Sequence, residues 1–224
     1  MDTFLFSFFA AAYLILFIFA LRLFKKRRIV NAVLLLPVIA GLVYDNSIIA
    51  AGRFIGEGAA LEALNAARFW LHALFTPLLV LYAWMTLKQT GISWAQTAWI
   101  RLTAIVLTIA LVLLELLTEV RGLSLQPRWE YGTLSYTNAE PSSGPPLMVL
   151  VVSVVLLAAS IVIWRKQGWI WFFVGSLVMI VGSAVQLPIE SGAVTNLFEL
   201  VLIVSLLATA WFQGNNQRAE PQTK

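Results

Sequence analysis

Seven separate stretches of this chain are apolar over roughly 20 residues each, the length that a helix needs to cross the hydrocarbon of a membrane. They lie near residues 3–24, 29–51, 66–87, 98–120, 147–164, 169–189 and 194–213. Backbone polar groups inside a bilayer must be satisfied within the protein, so helices are the expected structure. The sequence therefore predicts an all-α fold, a polytopic membrane bundle of seven transmembrane helices.

The composition supports this class of protein. Only 12% of the residues are charged and 60% are hydrophobic, with a mean hydropathy of +0.86. A soluble domain carries about twice that charged fraction. The net charge of +4 comes from basic residues beside apolar runs, which favours membrane lipids as partners and argues against nucleic acid. The chain has no cysteine, which excludes disulfides and thiolate metal sites.

The organisation is that of one domain with one long loop. We expect a single transmembrane domain over residues 1–213, with an outer loop at 121–146, and a disordered cytoplasmic tail over 214–224. The loop is polar and rich in Gly, Pro and Ser, so it is either a lid or disordered. Aligning Lys25-Lys26 with Arg165-Lys166 superimposes the first three spans on the last three. This faint repeat suggests a 3+1+3 arrangement, which is known among transporters.

Basic residues set the expected orientation. The run Lys25–Arg28 follows the first span, and every lysine falls on the same predicted side of the membrane as this run. Lysine and arginine are enriched in cytoplasmic loops. We therefore expect a multi-pass protein of a bacterial plasma membrane, with the N-terminus outside and the C-terminus in the cytoplasm.

Four ionisable residues on four different predicted spans share one depth. Asp45, His72, Glu115 and Glu199 all lie roughly 8–10 Å below the outer rim, at 1.5 Å of rise per residue. A charged residue within a span costs about 2.5–3.5 kcal/mol on insertion scales and usually faces the bundle interior or a water-filled cavity. We expect these four residues to surround one polar cavity that opens toward the outer face and to carry the protein's chemistry.

Six further polar residues are candidates for binding a substrate at this cavity. Three arginines could hold an anionic headgroup, and three amide side chains lie near the same depth, although interhelical hydrogen bonding is the alternative role for Asn46 and Asn196. The six are Arg53, Arg68, Arg121, Asn46, Gln186 and Asn196.

The residue types also limit the cofactors. A divalent metal ion could be bound by Asp45, His72, Glu115 and Glu199. A single histidine excludes a bis-histidine haem, the absence of lysine from the seventh span excludes a retinal Schiff base there, and the lack of a Gly-rich phosphate loop argues against nucleotide.

Three functions remain open from the sequence. The first is an enzyme that acts on a lipid or amphiphile entering from the outer leaflet, with the four ionisable residues as acid, base or metal ligands. The second is a transporter of small molecules coupled to protons or cations, which would use the same carboxylates. The third is a non-catalytic assembly factor whose polar residues fasten the bundle, with another membrane protein or further copies of the chain as its partner.

Overall fold

The computed structural model describes residues 2–140, 146–184 and 191–219, and these residues form a helical bundle. Its eight α-helices are α1 (Asp2–Arg27), α2 (Ala32–Ile55), α3 (Ala59–Phe75), α4 (Leu78–Lys88), α5 (Ala98–Glu115), α6 (Leu147–Gln167), α7 (Trp171–Ala184) and α8 (Gly192–Ala219). A 3-10 turn, Trp94–Gln96, precedes α5, and a π-helical turn, Leu116–Val120, follows it. The prediction of an all-α bundle is confirmed.

Six helical segments of the described chain are long and apolar enough to cross a membrane. They are Asp2–Arg27, Ala32–Ile55, Ala59–Lys88, Ala98–Val120, Leu147–Gln167 and Gly192–Asn216. Each overlaps one predicted span, and together they indicate a multi-pass membrane protein. The sixth predicted span, 169–189, corresponds to the shorter apolar helix α7. Its last residues lie outside the described part, so the count of seven spans stays a prediction.

Helices α3 and α4 form one membrane segment that is interrupted at Pro77. Proline lacks the backbone N–H that would bond to the preceding turn. The helix therefore ends at Phe75, where the Thr76 N–H still donates to the His72 carbonyl at 3.1 Å. The chain resumes as α4 at Leu78. His72 consequently lies in the last turn before the break, at the centre of the segment.

The long loop contains a β-hairpin, which sequence analysis did not predict. Strand β1 (Leu125–Glu130) pairs antiparallel with β2 (Thr133–Asn138). The connecting residues Tyr131 and Gly132 both have positive φ, at 46° and 86°, as a two-residue hairpin turn requires. The hairpin lies over the start of α1, where the Asp2 N–H donates to the Tyr131 carbonyl at 3.4 Å.

The hairpin also packs closely against α2 and α3. Leu134 of β2 is fully buried with Leu61 of α3, and the Gly58 N–H donates to the Tyr136 hydroxyl at 3.0 Å. A Cβ atom at Gly52 of α2 would lie 1.9 Å from the Leu134 carbonyl oxygen. The backbone of the hairpin therefore occupies the space that any other residue at position 52 would need.

This contact yields a stability prediction. Gly52→Ala is expected to destabilise the protein by about 1–3 kcal/mol, because the added methyl group would overpack the contact and force the backbone of α2 or of the hairpin to shift. Gly41→Ala, on the same helix, places a Cβ 3.4 Å from a Phe75 ring carbon and should leave stability unchanged or raise it slightly. The melting temperatures of the two variants are measured by thermal unfolding in detergent. Equal melting temperatures would show that the hairpin backbone is not packed tightly against α2 at Gly52.

The opposite end of the bundle is basic and is joined by amide side chains. Asn31 donates to Gln89 at 3.1 Å, and Gln213 donates to Gln167 at 2.9 Å and to the Thr86 carbonyl at 3.0 Å. These bonds connect α2, α4, α6 and α8. We call this the basic end, because Lys25–Arg28, Lys88, Arg165 and Lys166 lie there, and the other the hairpin end. Helix α8 continues to Ala219, whereas the tail was predicted to begin at residue 214. Residues 220–224 lie outside the described part.

Candidate functional site

An ion pair between α2 and α3 forms the centre of the polar site. The Arg68 Nε donates to Asp45 Oδ1 at 2.7 Å, and the exposed fractions of the two side chains are 17% and 30%. A second guanidinium nitrogen of Arg68 donates to Asn65 Oδ1 at 2.7 Å. That same oxygen accepts the Tyr136 N–H of the hairpin at 3.1 Å. The hairpin thereby helps to fix the position of Arg68.

His72 and Glu115 form a second pair, between α3 and α5. The His72 Nε2 lies 4.0 Å from Glu115 Oε1. The other ring nitrogen, Nδ1, is 3.3 Å from the Thr76 hydroxyl one turn later. The imidazole is about half exposed, whereas Glu115 is largely covered. A histidine held between a hydroxyl and a carboxylate can accept or release a proton.

A cavity of about 170 Å³ lies between α2, α3, α6, α7 and α8. We call it the central cavity. Its ionisable and amide lining residues are Asp45, Arg68, His72, Asn196 and Glu199. Thr76 and Ser153 add hydroxyl groups, and the walls are otherwise mostly apolar. Three of the four ionisable residues predicted to share a cavity therefore face this one.

The fourth, Glu115, lines an adjoining cavity of about 510 Å³. On one side this lateral cavity is lined by the end of α5 and the π-helical turn, through Leu114, Glu115, Thr118 and Glu119. On the other side it is lined by Pro146 and the first residues of α6. It shares Asp45, Arg68, His72 and Val149 with the central cavity. Thr118 and Leu147 on its border are exposed, so the lateral cavity opens at the surface of the bundle, between two helices.

The π-helical turn shapes one wall of the lateral cavity. The Arg121 N–H donates to the Leu116 carbonyl five residues earlier, at 2.8 Å. Glu115 ends the α-helix immediately before this wider turn, and Thr118 and Glu119 within it also line the cavity. Single π-helical turns inside helices occur frequently at functional sites.

Glu199 and Asn196 of α8 line the central cavity one turn apart. The three salt bridges within the described residues do not involve Glu199. The side-chain Nδ2 of Asn196 donates to the Gly192 carbonyl at 3.1 Å. The backbone carbonyl of Asn196 accepts a hydrogen bond from the Tyr13 hydroxyl of α1 at 3.1 Å. Its side-chain oxygen Oδ1 is buried and has no hydrogen-bond partner within the part of the chain that the structure describes.

Three other predicted substrate-binding residues, Arg53, Arg121 and Asn46, do not line the cavities. Arg53 is exposed at the end of α2, with its guanidinium 5.4 Å from the Phe54 ring centre, and Arg121 is exposed after the π-helical turn. Asn46 is buried and donates to the Leu42 carbonyl of its own helix at 2.9 Å. Gln186 lies outside the described residues. Of the three arginines, only Arg68 lines a cavity.

Sequence reasoning missed Asn65 and underrated Glu119. Asn65 precedes Arg68 by three residues and shares its helix face, so spacing alone could have indicated the contact. Glu119, which sequence analysis did not assign to the site, lines the lateral cavity together with Glu115.

A metal centre is not evident in this arrangement. Within residues 2–140, 146–184 and 191–219, no three His, Asp or Glu side chains are grouped closely enough to hold a metal ion. Comparison with protein-family models, curated proteins and solved structures found no match to this chain.

Proposed function

We propose that this protein binds an amphiphilic molecule whose polar head enters the two joined cavities while its hydrocarbon tail stays in the surrounding lipid. The observation that carries the proposal is the lateral cavity, which opens between α5 and α6 and shares Asp45, Arg68 and His72 with the central cavity. An amphiphile could thus move laterally from the lipid to the ionisable groups without first entering the aqueous phase.

The lining suits such a molecule. Ligand sites are largely apolar, with a few polar groups that fix orientation, and ionisable residues kept inside a membrane usually mark a substrate or ion pathway. Apolar residues of the lateral cavity, such as Phe69, Leu114 and Met148, lie beside Glu115 and His72. The apolar walls would contact the tail, and the charged groups would contact the head.

His72 and Glu115 give the site a means of doing chemistry. Their separation of 4.0 Å is short enough for a bound hydroxyl, amine or water to contact both groups. In this proposal the imidazole takes a proton from the bound head or an attacking water, and Glu115 stabilises the resulting imidazolium. Positioned acid–base groups contribute about 10²–10⁴-fold to rate. In this proposal the protein is an enzyme that acts on an amphiphile.

A transporter coupled to protons or cations is the second candidate. The observation that favours it is the placement of Glu199 and Asn196, which line the central cavity but not the lateral one, beside Asp45, which lines both. Carboxylates in such a place can bind and release protons or cations during transport. Flux of substrate across proteoliposomes without chemical change would favour the transporter. An assembly factor is less compatible with the geometry, since polar side chains that only fasten helices would leave no cavity.

We further propose that the hairpin end faces outward and the basic end faces the cytoplasm. The chain has no native cysteine, so single cysteines report orientation cleanly. Gln126→Cys on β1 should react with a membrane-impermeant thiol reagent on intact cells. Asn216→Cys near the end of α8 should react only after the membrane is opened, and the opposite pattern would reverse the orientation.

The lateral entry predicts a strong effect of blocking it. Thr118→Trp places a bulky ring at the border of the lateral cavity and should remove most of the amphiphile that remains bound to the protein after purification. Leu117→Trp is a matched control, because Leu117 is the neighbouring residue, is 60% exposed and lines neither cavity. Native mass spectrometry counts the bound molecules, and equal occupancy in both variants would argue against lateral entry.

A further inference from the structure

We infer that the head of the bound amphiphile is a primary ammonium group, an inference that rests on the proposed function. The acidic side chains that line the two cavities outnumber the basic ones. Asp45, Glu115, Glu119 and Glu199 face the cavities, and Glu119 has an interaction partner of its own, whereas Arg68 is the one guanidinium among the lining residues described. A positively charged ligand would pair with the acidic groups that remain.

Arg68 is already engaged in the protein. Its Nε donates to Asp45 and another of its nitrogens donates to Asn65, both at 2.7 Å. The arginines that could have joined it, Arg53 and Arg121, line neither cavity. An anionic head would therefore meet an excess of carboxylates with little compensation, and the repulsion of like charges disfavours it.

A separate observation on Asn196 points to a ligand that donates hydrogen bonds. This residue lines the central cavity and is 8% exposed. Its amide nitrogen is occupied by the Gly192 carbonyl, which identifies Oδ1 as the free acceptor, and that oxygen has no partner within the described chain. Buried polar atoms are nearly always hydrogen-bonded, so a buried acceptor that has no partner, on a residue that lines the cavity, calls for a donor from a bound molecule.

A primary ammonium satisfies both requirements. It carries one positive charge and three N–H donors, and the central cavity offers acceptors on Asp45, Glu199 and Asn196. A quaternary ammonium carries the positive charge but has no N–H donor, so it would leave Asn196 Oδ1 without a hydrogen bond. The cavity of about 170 Å³ is far larger than the roughly 15 Å³ that one water requires, so it accommodates a polyatomic head.

The test compares heads on one tail. Binding of dodecylamine, dodecyltrimethylammonium, dodecyl phosphate and dodecanol to the full chain in neutral detergent is measured by displacement of a fluorescent dodecyl probe. Dodecylamine is expected to bind at least about tenfold more tightly than the other three, as one charged hydrogen bond can supply that factor. Dodecyl phosphate or dodecyltrimethylammonium binding as tightly as dodecylamine would overturn the inference.

Two variants connect the preference to the residues. Glu199→Gln and Asn196→Leu should each weaken dodecylamine binding about tenfold while leaving dodecanol binding unchanged. Glu199→Gln preserves shape and so keeps the test available if Asn196→Leu does not fold. Unchanged dodecylamine affinity in a folded Glu199→Gln protein would overturn the inference.

Failure of the proposed function has a different signature. If propylamine, which has the head without the tail, competes as well as dodecylamine, the ammonium site stands but the ligand is not an amphiphile. If all four dodecyl compounds bind equally to the Thr118→Trp variant and to the unaltered protein, lateral entry is wrong whichever head is preferred. If dodecylamine shows no preference over the other three dodecyl compounds but Thr118→Trp still weakens their binding, the ammonium inference fails and the amphiphile proposal stands.

Discussion

Arg68→Leu is expected to destabilise the folded protein by about 3 kcal/mol, because removal of one partner of a covered ion pair leaves the other charge uncompensated. Asp45 would lose the donor at 2.7 Å, and Asn65 would lose the guanidinium that links it to α2. The hairpin would remain bonded to Asn65 but would no longer be connected to Asp45. Unfolding in detergent, monitored by intrinsic tryptophan fluorescence, measures the loss.

A double variant separates the ion pair from simple packing. Asp45→Leu combined with Arg68→Leu should recover part of the stability lost by Arg68→Leu alone, since no uncompensated charge remains. Arg128→Leu is the matched control: Arg128 also pairs with a carboxylate, that of Glu130 at 3.1 Å, but its side chain is 54% exposed. Exposed ion pairs contribute little, so equal effects of Arg68→Leu and Arg128→Leu would contradict this account of the site.

Glu115→Gln is expected to lower the activity of the protein by about 100-fold or more while the protein still inserts and folds. Glutamine keeps the shape of the side chain but cannot stabilise a protonated His72 at 4.0 Å. Without a known substrate, the readout is the set of lipids and metabolites that changes in abundance when cells express the protein. Cells that express Glu115→Gln should resemble cells without the protein.

Glu62→Gln provides the control for this experiment. Glu62 is exposed in the first turn of α3 and lines neither cavity, so its variant should reproduce the effect of the unaltered protein. If Glu115→Gln and Glu62→Gln give the same lipid and metabolite profile as the unaltered protein, Glu115 has no role in the chemistry.

The membrane segments were predictable because their signal is local. Apolar length identifies a span wherever its neighbours lie, and the cost of a charge in lipid indicates that Asp45, His72 and Glu199 should face inward. Depth along a helix also follows from residue number alone. These three residues indeed line one cavity.

The features that sequence analysis missed depend on direction around a helix or on distant contacts. Arg53 and Arg68 were both predicted to bind substrate, but the sequence does not say which way a side chain points, and only Arg68 reaches the cavities. The hairpin is stabilised by Gly52 and Asn65, residues far from it in sequence. No local sequence pattern in the polar loop predicts such a contact.

The most direct test of the account is to locate a bound amphiphile on the protein. A dodecylamine analogue with a photoreactive diazirine in its tail, cross-linked in the membrane and mapped by mass spectrometry, should label residues at the lateral cavity such as Leu114, Leu147 and Met148. Excess dodecylamine should suppress that labelling, and Thr118→Trp should abolish it. Labelling spread over exposed lipid-facing residues such as Leu113 and Val154, and unaffected by competitor or by Thr118→Trp, would contradict the account.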